Sequence, residues 1–180
     1  VARGAVLRAL NKDYGPTRIS QCSYGHLLWE PWEPDIIPAH KDTKPRISKA
    51  DGERYVNETI HWVIQKGESI PNRKEFVMPV KHTFSLNFQK FLCKEAIYVS
   101  DQEHESHYRR THPFNKGAEL AGYIEADMTF LKTEGRIEPE SPSETSTYSN
   151  PQRQHWAIHF ELVIIVEGRN LRYEARWPLS

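Results

Sequence analysis

Cysteine is scarce in this chain, and long apolar runs are missing altogether. Cys22 and Cys93 are the two cysteines among 180 residues. They are too few and too far apart for a disulfide framework or a zinc ribbon, and the expected setting is a reducing cytoplasm. No stretch approaches the roughly 20 apolar residues that cross a bilayer, so no membrane span is expected. Excess charge is missing too: 24 basic residues cancel 24 acidic ones. That balance argues against a nucleic-acid binder or a polybasic membrane module, both of which depend on surplus positive charge. There is no glycine-rich phosphate loop after a strand and no G-x-S-x-G elbow. No carboxylates stand in a recognisable acid–base pairing, so no catalytic residue is assigned.

What is present is an alternating pattern. Hydrophobic residues make up 38% of the chain, enough for a core without staples at this length. Val1 to Leu10 reads as the end of a helix, with Val6, Leu7 and Leu10 as its apolar stripe. Asn11, Gly15 and Pro16 follow as stop signals. From there the period is two. Residues 18–29 form a first strand with mixed faces, and Ile60, Trp62 and Ile64 share a face in the next. Residues 75–88 are strand-like around Phe76, Met78, Val80 and Phe84, with Pro79 denying them a central place in a sheet. Residues 95–100 form a short β run. Gly122, Ile124, Ala126, Met128 and Phe130 then alternate.

The strongest signal comes last. Trp156, Ile158, Phe160, Leu162, Ile164 and Val166 fall on one face, with His155, Ala157, His159 and Glu161 on the other. A turn over Glu167–Asn170 and a second alternation through Leu171, Tyr173, Ala175 and Trp177 complete a hairpin over 155–177. The expected class is mainly β, an antiparallel β-sandwich spanning 13–180, with a short N-terminal helix over 1–12. Residues 30–56, with four prolines and many charges, read as a long excursion. Residues 137–151 carry almost nothing to bury and read as a mobile surface loop.

Several polar constellations invite a functional reading. His104, His107 and His112, with Glu103 and Glu105, are zinc-ligand types at close spacing. The spacing matches no closed site and Arg109 and Arg110 intrude, so a solvated loop is expected and no metal is assigned. Trp29 and Trp32 read as an exposed contact patch or, preferably, as part of a loop packed back on the sandwich. Asn57-Glu58-Thr59 matches a glycosylation acceptor and is taken as chance.

The order of elements and some local motifs resemble the DnaK-type, seventy-kilodalton heat-shock chaperones, at the join between their ATPase and substrate-binding domains. Val1–Leu7 is similar to the helix that closes the ATPase domain, and Ser23-Tyr24-Gly25 to the first strand of the β domain. Lys66 to Pro71, Phe84-Ser85, Ile97-Tyr98-Val99, Leu120 to Phe130 and His155 to Trp177 match later elements in order. The likeness is nearer to divergent fungal and animal members than to the housekeeping chaperones. It implies that residues 1–12 end an upstream ATPase domain using ATP and magnesium, and that this chain is a C-terminal piece with no cofactor of its own. It implies peptide-binding positions at Phe84, Leu86 and Ile97. The expected partners are unfolded or extended protein segments and the upstream ATPase domain. Two departures stand out: no helical lid follows Trp177, and Glu95 occupies what resembles an apolar pocket position.

The expected function is a non-catalytic protein- or peptide-binding β domain of a divergent chaperone ATPase. The alternative is a docking domain that relays nucleotide state without gripping clients. A metal-dependent enzyme built on the histidine loop ranks far behind. Calorimetric titration of this chain with ATP and magnesium should give no saturable heat; micromolar binding would refute the assignment of nucleotide chemistry to an upstream domain.

Overall fold

The computed structural model describes residues 17–141, 153–168 and 170–179. The helix expected over 1–12 lies outside them, as do residues 142–151 of the expected mobile loop. Ten strands follow in order: β1 (Arg18–Ile19), β2 (Ser23–Pro31), β3 (Arg46–Ile47), β4 (Arg54–Ile64), β5 (Ser69–Ile70), β6 (Arg73–Ser85), β7 (Leu92–Ser100), β8 (Glu119–Asp127), β9 (His155–Glu167) and β10 (Asn170–Arg176). Every pairing is antiparallel. Five strands form one sheet in the order β3-β4-β2-β7-β8, three form another in the order β10-β9-β6, and β1 pairs with β5. The chain is a mainly β protein whose two larger sheets enclose one core, as the alternation predicts.

That core draws Ile64, Cys93 and Ile97 from the five-stranded sheet and Met78, Ile158, Phe160, Leu162, Ile164 and Val166 from the three-stranded one. The hairpin forms as expected, with Leu171 opposite Val166 and Arg176 opposite Glu161. Pro79 lies on β6, an edge strand paired only with β9 among the described strands. Proline removes a donor from the ladder, and an edge tolerates that loss.

Two sequence expectations need correction, and one strand is covered more fully than its alternation shows. The second face of β9 is not open: Ala157, Glu161, Val163 and Ile165 are buried, and only His159 among its inner residues is exposed. β9 is the central strand, and Arg176 of β10 reaches Glu75 of β6 at 2.9 Å while also holding Glu174 at 2.8 Å. In the register, Val163 lies between the levels of these two partners, so the long side chains cover it. The alternation assigned to Met128 and Phe130 stops at Asp127, where Asp127 Oδ1 accepts from the Thr129 amide and Phe130–Thr133 makes one helical turn. Ile137 packs against the core, so the start of the 137–151 segment has apolar anchorage that its composition hides.

The 30–56 excursion is also less open than its prolines suggest. Its ends belong to β2 and β4, β3 pairs with β4, and a 3-10 turn at Pro38–His40 buries His40 completely. Near its far end, Asp51 accepts from the Tyr55 hydroxyl (2.7 Å) and from Lys81 of β6 (3.1 Å).

Phe160 is fully buried and His159, its neighbour, is exposed. Phe160→Ala should therefore cost about 3–5 kcal/mol, and His159→Ala no more than about 0.5 kcal/mol. Urea midpoints of the two variants check this; equal losses would contradict the facing of β9.

Candidate functional site

The alternation of β2, β6 and β7 carries polar residues into the core as well as apolar ones. His26 lies between Tyr24 and Leu28, His82 between Val80 and Phe84, and Glu95 between Cys93 and Ile97. All three meet between the sheets. His26 Nε2 lies 2.5 Å from one oxygen of Glu95, and His82 Nε2, from the opposite sheet, bonds the other. His82 also stacks on Phe160, ring centres 6.0 Å apart. Burial alone would push the Glu95 carboxyl up, but the bonds from His26 and His82 and their attraction bring it down to about 2. The resemblance singled out Glu95 only as a departure; the structure makes it a buried tie between sheets.

His26 is paired across β2 and β4 with His61, and His61 leads to a second carboxylate. Its ring centre is 5.6 Å from that of His107. Glu30, also buried, takes His107 Nδ1 at 2.8 Å and His40 Nε2 at 3.0 Å. The Glu33 amide donates to His40 Nδ1 at 3.1 Å, so the hydrogen of His40 sits on Nε2 and points at Glu30. Burial would raise the Glu30 carboxyl; its bonds from His107 and His40 hold it below the usual range. The bond to Glu30 raises the His107 imidazole, whereas burial and the nearby His107 lower His61.

The histidine loop therefore does not converge on a metal. His104 is buried, stacked on Trp62 with ring centres 4.4 Å apart. Its Nδ1 donates to the Phe114 carbonyl (2.7 Å) and its Nε2 faces the Ser100 hydroxyl (2.6 Å). His107 serves Glu30, and His112 stacks on Tyr108 and accepts from the Phe114 amide. Among the described residues no group of His, Cys, Asp or Glu is arranged to hold a metal ion. Nor is the loop merely solvated. Asn115 is buried, accepting from the Trp62 indole at 2.9 Å and donating to the carbonyls of Tyr108 and Arg109. Its backbone runs beside β4 through His107 N to Ile60 O (3.0 Å) and Ile60 N to Tyr108 O (3.0 Å). Gly25 permits this packing: a Cβ there would stand 2.5 Å from Ile60 and 2.9 Å from Trp62.

The positions transferred by resemblance do not share a surface. Ile97 is buried in the core, Phe84 packs on Phe91 and Phe88, and Leu86 is exposed in the turn after β6. Trp29 is exposed, while the Trp32 indole donates to the His40 carbonyl at 3.1 Å. Asn57 and Thr59 are buried within β4, which closes them to glycosylation. A shallow cleft between residues 39–44 and 108–113 is lined by Lys44 and Arg109, with Asp42 offsetting their charge. No described helix is long and apolar enough to cross a membrane.

The edge strand β8 combines an open ladder with exposed apolar side chains. Among the described strands it has β7 as its sole neighbour. Tyr123 lies opposite Ala96, and a register shift after Ile97 puts Leu120 opposite Tyr98. Tyr123 is 56%, Leu92 55% and Leu120 45% exposed. Lys94 lies 4.1 Å from the Tyr123 ring centre and 3.3 Å from Glu125. Glu119, Glu125 and Asp127 make the strand acidic.

Removing Glu95 should leave the buried His26 and the partly buried His82 without their shared acceptor. Glu95→Ala is expected to cost about 3–5 kcal/mol, the scale for breaking a buried pair from one side. The carboxyl titrates at about 2 when folded against 4.5 ordinarily, so its contribution is full above 4.5 and drains as pH falls toward 2. Acid denaturation of Glu95→Gln followed by circular dichroism should lack that part of the pH slope; a slope like that of the unaltered chain would contradict the reading.

No curated protein and no solved structure matches the chain. A family match covers residues 18–177, which takes in every strand just described, and by it the chain belongs to the family described as Domain of unknown function (DUF8568).

Proposed function

We propose that this domain is a non-catalytic protein-binding module that captures an extended, basic and apolar segment along the free edge of β8. The observation that carries the reading is the contrast among the edges. β6 has Pro79, charged Arg73, Lys74, Glu75 and Lys81, and a cover from Asp51. β10 carries Arg172, Glu174 and Arg176 in ion pairs. β3 has two residues. Proline, charge and shortness are the devices by which sheets avoid pairing with other chains. β8 has nine residues without proline, its charges Glu119, Glu125 and Asp127 are all of one sign, and beside its edge lie exposed Leu120, Tyr123 and Leu92.

An added strand would take backbone hydrogen bonds from β8, and its alternate side chains would rest against Leu120 and Tyr123. Glu119, Glu125 and Asp127 favour lysine or arginine in the partner. The buried acids and bases support a non-catalytic role, since Glu30 and Glu95 are each engaged by two histidines within the fold. The resemblance to the chaperone β domain belongs to the same proposal, because that family also holds extended segments. Its transferred positions differ from the surface chosen here: Ile97 is only 3% exposed.

An array of extended peptides should yield ligands rich in alternating apolar and basic residues. A double Leu120→Lys, Tyr123→Lys variant should bind them at least about tenfold more weakly, a loss of about 1.4 kcal/mol. Val77→Lys on the edge strand β6 should bind them unchanged. An array without ligands, or equal losses in both variants, would sink the proposal.

A further inference from the structure

The Glu30 cluster joins two segments that are distant in sequence. From β2, Glu30 holds His40 of the 38–40 turn and His107 of the loop that runs between β7 and β8. His40 is locked by the Glu33 amide on its other nitrogen. His107 is different. It is half-exposed, its backbone is left-handed at φ 75°, and it is not glycine. A bulky residue keeps such a backbone only when its surroundings hold it there. The holders are its bond to Glu30 and its amide bond to Ile60 O.

We propose that the Glu30–His107 pair is a pH-operated clamp that fixes the β7–β8 loop to β4 while His107 is protonated and loosens it when the proton leaves. The groups facing the pair are few. Glu30 comes from β2, Thr59 and His61 from β4, and His40 from the 38–40 turn. His26 acts on His61 from the neighbouring strand. Arg109 joins the loop to the Lys44 carbonyl at 3.2 Å, a link that does not titrate near neutrality.

Geometry gives the cluster one place for a proton. Two imidazolium rings at the 5.6 Å separation of His61 and His107 would repel; of these two only His107 touches a carboxylate, and His40, which also bonds Glu30, accepts the Glu33 amide on its other nitrogen. The directions agree: His107 is raised above 6.5 and His61 is lowered below it. The clamp is accordingly at full strength below 6.5 and weakens as pH rises through the elevated value of His107. Its acid limit is set by Glu30, which titrates below 4.5. This device is separate from the β8 edge and stands or falls independently of the peptide-binding proposal.

The whole chain is followed by imidazole NMR and by amide hydrogen exchange between about pH 6 and pH 8.5. In the unaltered protein His107 should titrate above 6.5 and His61 below it. The amides of His107 and Arg110, which bond to Ile60 O and Glu58 O, should lose protection severalfold as pH rises, after correction for intrinsic exchange. Those of β9 should hold theirs. Glu30→Gln and His107→Gln should exchange quickly at both pH values. His107 titrating at or below 6.5, an unchanged loop, or a step that survives Glu30→Gln would overturn the clamp. Should Glu30→Gln fail to fold, the titration and exchange of the unaltered protein decide alone.

Discussion

A carboxylate between two sheets constrains everything around it. Glu95 is buried, so it must accept hydrogen bonds wherever the chain folds. His26 comes from its own sheet and His82 from the other. A buried ion pair is a poor source of net stability, because desolvation offsets the attraction. What it does supply is alignment. Sliding β6 over β7 by two residues would move Val80 or Phe84 to Glu95 and leave the carboxylate without its second donor. Apolar packing alone tolerates such slips far better. The network thus selects one stacking of the sheets from several with similar apolar burial.

The same logic extends to the loops. Glu30 ties the 30–56 excursion and the β7–β8 loop to the sheet, and His104, Trp62 and Asn115 finish the second attachment. Among the strand edges, β6 and β10 carry proline or charges of both signs and β3 is short, whereas β8 is long, without proline and charged with one sign alone. Rigidity inside and a long edge of one charge outside suit a module whose work is recognition, since a preordered edge loses little entropy on binding.

Periodicity made the strands legible. It found both strands of the last hairpin and, through Pro79, the edge position of β6. It also held the signal for the buried network, since His82 and Glu95 each stand two residues from core positions on both sides and His26 two residues after Tyr24. That signal was hidden by residue type: histidine and glutamate in an apolar alternation read as interruptions of a face, and their partners lie 69 and 13 residues away in sequence. The role of His107 was similarly out of reach, because Glu30 is 77 residues away. The cover over the second face of β9 was out of reach for a related reason. Whether a strand is central depends on its neighbours, and Arg176 meets Glu75 only once both have been placed.

The burial of β9 on both faces has a cost before folding is complete. Leu162-Val163-Ile164-Ile165-Val166 is an uncharged, mostly β-branched stretch, entirely buried in the finished domain. Exposed on a nascent or partly unfolded chain, such a segment stacks readily with copies of itself. Glu161 and Glu167 flank it directly, and like charges brought into register repel. The two glutamates act as gatekeepers of that stretch, holding apart in the unfolded chain the strand that the native sheets later enclose.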